Sequence, residues 1–229
     1  MRRRSKIAKA AVVVFVFLSE VCLYQGNRTQ VSIEGDKRYI NGEITNPGLP
    51  AEGLLLNVRM VNAVFEDRGE NWKKQVDAFD PEKYTQNFIH RIPEYVGLGV
   101  NAFVISLQGG LPGYEGAINT AFEPDGTLRT TYMQRVEKVI NAADREGAVI
   151  IHSCFYQRQR DHDFALENKQ AIIEAVTNTA DWLSNKGFTH VVLEIAKKSR
   201  FGDWSQQGLT TYEWWYTPTM EGCCTSLIR

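Results

Sequence analysis

Four short apolar runs alternate with longer amphipathic stretches over most of the chain. Each run is rich in valine, isoleucine and leucine, which is typical of a strand buried on both faces of a parallel sheet. Glycine and proline punctuate the stretches between them. The predicted strands are Leu54–Met60, Ala102–Leu107, Ala148–Tyr156 and a run from Val191 to Ile195.

Three amphipathic stretches between these runs predict helices, because their apolar residues recur at three- and four-residue steps. Asp80 and Pro81 supply an N-cap and a first-turn proline for the first helix, which should end near Gly97 with a kink at Pro93. The other two helices are predicted over Thr131–Glu146 and Asn168–Asn185. Strands and helices that alternate in this way predict an α/β fold with a parallel sheet.

A separate β-hairpin is predicted ahead of the first strand. The segment from Val31 to Ile44 has short alternating runs around Gly35 and then an Asn41-Gly42 pair. Asn-Gly favours the tight turns that join antiparallel strands.

The N-terminus has the order of a secretory signal, with arginines at positions 2 to 4 followed by an apolar run over residues 10–18. That run is shorter than the ~20 residues needed to span a bilayer, and Glu20 would lie inside a longer span. We therefore expect residues 1–26 to direct export or, if uncleaved, to anchor the chain in a membrane.

Residues 197–229 break the pattern, because they have neither a helical stripe nor a strand run. Trp204, Trp214 and Trp215 add large apolar side chains to this tail, but they do not recur at the spacing of a helix or a strand. Two explanations stay open: an ordinary irregular terminus, or a continuation read in a shifted frame. We expect a domain over residues 31–196 followed by an irregular tail.

Composition narrows the function classes. With 229 residues, 43% hydrophobic and 23% charged, the chain is an ordinary globular protein. A net charge of -1, without a basic stripe beyond the first nine residues, argues against a nucleic-acid partner. The four cysteines, two of them adjacent at Cys223 and Cys224, resemble neither a disulfide framework nor a zinc site.

Several strings in one order carry a family resemblance: GLLLNVRMVNAVFED, NAFVISLQGG, AFEPDGTLRTTYMQRVEKVINAADREGAVIIHSCFY and ADWLSNKGFTHVVLEI. Together they resemble the first half of the cellulase-like (β/α)8 glycoside hydrolases of clan A, close to glycoside hydrolase family 5. The resemblance covers about Val31 to Ile195. It implies a partial TIM barrel and, in relatives, cleavage of β-linked polysaccharides without a cofactor. A flavodoxin-like domain fits less well, because no glycine-rich phosphate loop follows the first strand.

The fourth strand departs from the family at the catalytic position. In that clan it carries a Glu-x-x-Asn-Glu pattern, whose last Glu is the general acid/base. Here Glu194 matches the first Glu, whereas Lys197 and Lys198 stand where the Asn and the acid/base should be. An ammonium group cannot replace a carboxyl that gives and later takes a proton. The strand that carries the clan's nucleophile, the seventh, has no counterpart in this sequence, so we expect a truncated, inactive relative.

The resemblance also places polar residues at the carboxyl ends of the strands, where barrel enzymes bind substrate. These candidates are Asn57, Arg59, Gln108, His152, Tyr156 and Glu194. Alternatives stay open for each: loop hydrogen bonds for Arg59 and Gln108, a hydrogen-bonded core imidazole for His152, packing for Tyr156, and a structural ion pair for Glu194. The run RQRDHD over residues 158–163 fits a solvated loop better than a metal site.

The expected protein is thus an exported or membrane-associated glycoside-hydrolase-like chain whose partner is a carbohydrate. The alternative is a non-hydrolytic carbohydrate-binding module.

Overall fold

The structure is a computed structural model that describes residues 28–70, 73, 77–108, 117–155 and 166–196. The predicted leader over residues 1–26 and the predicted tail over residues 197–229 lie outside these ranges. The strands are β1 Val31–Glu34, β2 Lys37–Ile40, β3 Glu43–Ile44, β4 Asn57–Arg59, β5 Ala102–Ser106, β6 Val149–Phe155 and β7 Val191–Ala196.

These strands form two sheets, an antiparallel one of order β1-β2-β3 and a parallel one of order β4-β5-β6-β7. The parallel order follows the chain without reversal, whereas a flavodoxin-like sheet reverses its order at a switch point. The predicted fold class is confirmed: an α/β fold consistent with a partial (β/α)8 barrel, in which helical crossovers join four parallel strands. The predicted β-hairpin ahead of them is extended by β3 to an antiparallel sheet of three strands.

The helices are α1 Pro81–Ile89, α2 Ile92–Gly97, α3 Thr130–Arg145 and α4 Lys169–Lys186. Local signals set their ends. Asp80 accepts hydrogen bonds from the backbone N–H groups of Glu82 and Lys83, and Asn168 accepts one from Ala171. Gly187 ends α4 in the left-handed conformation, with φ of 66°. Among the helices that the structure describes, none is long and apolar enough to cross a membrane.

The first predicted helix is two helices in the structure. It stops at Ile89 and resumes at Ile92, rather than continuing with a kink in its last turn. Pro93 explains the position of the break, because a proline ring clashes with the carbonyl four residues earlier, which is that of Ile89.

The first predicted strand is also shorter than expected. It covers three residues, Asn57–Arg59, instead of Leu54–Met60, and Leu54 and Leu56 are 49% and 40% exposed. The carbonyl of Leu54 accepts from the side chains of Thr45 and Asn46 rather than from a neighbouring strand. An apolar run at the outer edge of the sheet thus lacks the cover that its composition predicts.

The helices pack on one face of the parallel sheet. Phe103 and Ile105 of β5, together with Leu107 just after it, belong to one core cluster with apolar residues of α3 and α4. Ala102 and Val104 are equally buried but lie outside that cluster. Since side chains alternate between faces along a strand, this second set faces away from the helices, towards what would be the interior of a barrel.

The antiparallel sheet is fastened at the amino ends of the parallel strands. The backbone N–H of Val31 donates to the carbonyl of Thr189 at 2.9 Å, and the Thr189 hydroxyl donates to the carbonyl of Thr29 at 2.7 Å. Thr29 also donates through its backbone N–H to Asp144 Oδ1 at 2.7 Å. These bonds join the start of the described chain to the carboxyl end of α3 and to the residues just before β7.

Candidate functional site

Polar side chains gather on the sheet face turned away from the helices. Ser106 pairs in register with Ser153, and Ser153 with Glu194, so the three form one row across the sheet. Arg59 pairs with Val104, two residues before Ser106, and therefore shares this face. Gln108 lies two residues beyond Ser106. All five are near the carboxyl ends of their strands, the edge at which barrel enzymes place working groups.

Three of these side chains have unmet hydrogen-bonding capacity. Ser106 Oγ, Gln108 Oε1 and Glu194 Oε2 are buried and have no partner in the part of the chain that the structure describes. Ser153 differs, because its hydroxyl donates to the carbonyl of Phe155 at 3.1 Å. A buried polar atom without a partner costs about 1–3 kcal/mol. Each of these three atoms can therefore accept a further hydrogen bond.

The two candidates on β4 are exposed. Asn57 Nδ2 donates only a long bond of 3.4 Å to the carbonyl of Leu55. Arg59 makes no ion pair within the described residues. Three strand spacings, roughly 14 Å, separate β4 from β7, so Arg59 does not neutralise Glu194 of the same chain.

His152 lies on the other face of the sheet. It pairs in register with Leu193 and is fully buried on the helix side. Both of its ring nitrogens lack a hydrogen-bond partner among the described residues, which differs from a core imidazole satisfied by hydrogen bonds. Burial lowers the pKa of His152 to about 4. The structure thus separates His152 from the other candidates.

Tyr156, Lys197 and Lys198 lie outside the described residues, so their predicted roles stay predictions. Ser106 and Ser153 were missed by the sequence analysis. The signal that could have found Ser106 is strand alternation, since it precedes Gln108 by two residues.

A buried ion-pair cluster stands beside this face, in the loops that follow β4 and β5. Glu66 accepts a hydrogen bond from Arg129 through one carboxylate oxygen and from Arg135, at 2.5 Å, through the other. Glu66 and Arg135 are each 8% exposed. Two guanidinium groups thus compensate the charge of one carboxylate, with one arginine on each of its oxygens.

Hydrogen bonds between side chains and backbone groups hold the same loops together. Asn119 Oδ1 accepts from the backbone N–H of Glu66 at 3.1 Å, and Asp67 Oδ1 accepts from that of Ile118 at 2.9 Å. The Tyr132 hydroxyl of α3 donates to the carbonyl of Val64 at 3.0 Å. The loop after β4 is therefore held rigidly against the loop after β5 and the start of α3.

A cleft of about 320 Å³ opens next to this cluster. Its walls are Glu66, Asp67, Arg68, Glu70, Phe79, Pro81 and Arg129. Glu66 is held by two arginines, and Asp67 accepts from two backbone N–H groups, of Gly69 and Ile118. These two carboxylates serve as structural acceptors. Among the described residues, no group of three or more His, Cys, Asp or Glu side chains could hold a metal ion.

No protein-family model matches the chain, and no curated protein matches it either. Its fold is similar to solved glycoside hydrolases at low identity. The Pseudomonas stutzeri endoglucanase Cel5A is 14% identical over 52% of this chain and 36% of that chain, with a TM-score of 0.38. A glycoside hydrolase family 5 protein from Bacteroides vulgatus is 14% identical over 79% and 34%, with a TM-score of 0.45.

PbGH5A, a glycoside hydrolase family 5 enzyme from Prevotella bryantii, is 14% identical over 62% of this chain and 42% of that chain, with a TM-score of 0.41. The chain thus spans less than half the length of each of these three proteins. The likeness is one of fold.

Proposed function

We propose that this chain is a glycoside-hydrolase-like protein that binds a carbohydrate at the carboxyl ends of β4 to β7 and does not cleave it. The observation that carries the proposal is the row of polar atoms on Ser106, Gln108 and Glu194 that have no partner among the described residues. A sugar presents several hydroxyl groups, each of which donates and accepts. Such a ligand would satisfy the carboxylate and amide oxygens and the serine hydroxyl together.

The charges on this face suit a neutral ligand. Glu194 accepts hydrogen bonds from hydroxyl groups, and the exposed Arg59 donates them. On the described strands this face carries one carboxylate and one guanidinium, so its charges balance there and do not favour an ionic ligand.

Lack of turnover is proposed from the carboxylates. Retaining hydrolysis needs two carboxyl groups ~5 Å apart, one of which exchanges protons with the leaving oxygen. On the described strands, Glu194 is the single carboxylate on this face. The neighbouring Glu66 is neutralised by Arg129 and Arg135. The sequence places Lys198 where the resemblance expects the acid/base.

Titration calorimetry of the full chain with cellotetraose tests binding. Because Glu194→Gln keeps the shape of the side chain and removes the charge-assisted hydrogen bonds, it should raise the Kd about tenfold or more. Glu43→Gln changes an exposed carboxylate on β3 and serves as the matched control, with an unchanged Kd. Absence of heat with cello-, manno- and xylo-oligosaccharides alike would contradict the proposal.

A second assay tests turnover on aryl β-glucosides, aryl β-mannosides and soluble cellulose. The expected result is no product above the buffer blank. Reproducible hydrolysis that Glu194→Gln abolishes would mean that the chain is an enzyme, and the non-hydrolytic part of the proposal would be withdrawn.

We also propose that residues 1–26 direct the chain out of the cytoplasm and can associate it with the membrane, on the strength of the basic start and the apolar run at residues 10–18. Fusion of residues 1–30 to a reporter that is active only outside the cytoplasm tests this. A silent reporter in the soluble cytoplasmic fraction would refute it.

A further inference from the structure

The two outer strands of the parallel sheet are incompletely covered. All five side chains of β5 are buried, whereas on β7 the five described side chains, Val191 to Ile195, are each only half-buried. A strand as apolar as β7 is expected to be buried on both faces. On the opposite edge, β4 is flanked by the exposed Leu54 and Leu56.

Both outer strands also have backbone groups that pair with no strand among the described residues. The carbonyl of Leu56 and the N–H of Met60 bond towards β5. Because backbone groups alternate in direction along a strand, those of Asn57 and Arg59 point to the open side. In the same way the carbonyl of His190 bonds towards β6, so the backbone groups of Val191, Leu193 and Ile195 point to the open side of β7.

The two edges carry opposite, unpaired charges on the same sheet face. Arg59 near the end of β4 has no carboxylate partner, and Glu194 near the end of β7 has no cation partner, among the residues that the structure describes. They are too far apart to meet within one chain. Each edge therefore lacks the charge that the other edge offers.

We propose that two copies of this chain join edge to edge, with β4 of each copy beside β7 of the other, and close an eight-stranded barrel. A two-fold axis along the strands keeps both junctions parallel and makes them identical. Eight parallel strands are the number that closes a (β/α)8 barrel and shelters its interior face.

In that assembly Arg59 of one copy lies beside Glu194 of the other, twice. Their register positions differ by two residues on one face, which is within reach of an arginine side chain across neighbouring strands. The apolar edge residues Leu54 and Leu56 would gain cover from the second copy. This assembly goes beyond the proposed function and is measured without any sugar, so a failure to dimerise and a failure to bind a sugar are separate results.

Analytical ultracentrifugation of the full chain tests the assembly. The expected mass is about twice the 26.0 kDa of one chain. Arg59→Glu and Glu194→Arg each place two like-charge pairs at the junctions, so each variant should associate more than about tenfold more weakly than the unchanged chain.

Ultracentrifugation of a 1:1 mixture of the two variants is the decisive experiment. In the mixed dimer, Glu at position 59 of one chain meets Arg at position 194 of the other, and the second junction keeps the original pair. Mixing should therefore restore dimers, which a folding defect would not allow. Arg145→Glu and Glu146→Arg, both at exposed positions away from the edges, should leave the dimer unchanged.

A monomeric chain at about 100 µM would overturn the proposal and indicate that another segment covers the edges. A dimer that neither charge reversal weakens, or variants whose mixture stays monomeric, would show that copies do not meet through β4 and β7.

Discussion

His152 and Glu194 lie on neighbouring strands and leave the sheet on opposite faces. His152 pairs in register with Leu193, one position short of Glu194, and this single step sends its imidazole into the helix-covered core. A histidine that cannot reach the polar face contributes to stability rather than to ligand binding. Its buried, unpartnered nitrogens make that contribution dependent on pH.

The first prediction concerns acid stability. A folded pKa of about 4 for His152, below the 6.5 of a free imidazole, means that folding excludes the protonated form. The stabilisation is complete above the unfolded pKa and is lost as pH falls from 6.5 towards 4. Between pH 7 and pH 5 this group should lower the free energy of unfolding by about 2 kcal/mol.

Urea denaturation of His152→Leu at both pH values measures this effect. The variant should be at least as stable at pH 7 and lose less stability at pH 5. Some pH dependence should remain, because burial also lowers the pKa of His190. His90→Leu, which removes an exposed imidazole, controls for the substitution. A pH dependence identical to that of the unchanged chain would contradict the assignment.

A second prediction concerns the ion-pair cluster. Glu66→Gln leaves Arg129 and Arg135 without their carboxylate in a buried place, which should cost about 3–5 kcal/mol of unfolding free energy. Glu123→Gln removes a half-exposed partner of Arg129, at 3.4 Å, and should cost less than about 1 kcal/mol. Chemical denaturation of both variants distinguishes the two. Equal losses would mean that Glu66 is no better shielded than Glu123.

The start of α1 gives a third prediction. Asp80 accepts from the N–H groups of Glu82 and Lys83 at 2.8 and 3.2 Å, so Asp80→Ala should cost about 1 kcal/mol, whereas Asp80→Asn keeps an N-cap acceptor and should cost little. Asp77→Ala, at an exposed position just before the cap, is the control. A thermal unfolding midpoint unaffected by Asp80→Ala would show that the cap does not stabilise the helix.

A fourth prediction separates backbone strain from collision. Gly126 and Gly99 have φ of +91° and +93°, but a Cβ on Gly126 would meet the backbone of Ala171 and, at 2.8 Å, that of Ala175, whereas one on Gly99 meets nothing within 4 Å. Gly99→Ala should cost about 1–2 kcal/mol, and Gly126→Ala several kcal/mol, because α4 must also move. Similar unfolding free energies for both variants would refute this close approach of loop and helix.

The sequence predicted the elements whose ends are set by local chemistry. The N-caps at Asp80 and Asn168 and the left-handed Gly187 each act within a few residues, so pattern alone located their helices. The order of four βα units followed from the same patterns, because consecutive parallel strands need crossover helices.

Features that depend on distant residues were not predictable in this way. The cluster of Glu66, Arg129 and Arg135 joins residues more than 60 positions apart, and no spacing rule links them. Among the described residues β4 pairs with β5 alone, and the composition of an apolar run does not reveal that a strand lies at the edge of its sheet. The sheet face on which His152 lies is known only from the register of β6 against β7. The sequence of β6 does not alternate between apolar and polar residues, so it does not indicate that face.

The bonds between Thr29, Val31 and Thr189 also set an order of events during synthesis. The hydroxyl of Thr189 donates to the carbonyl of Thr29, 160 residues earlier in the chain, so the docking place of the antiparallel sheet is complete only once the residues just before β7 have been made. At ribosomal rates of about 5–20 residues per second, that wait lasts roughly 10–30 seconds. Throughout it, β1 to β3 must avoid pairing with other nascent chains, and the many charges that they carry, Glu34, Lys37, Arg38 and Glu43 among them, are the means by which exposed strands resist such pairing.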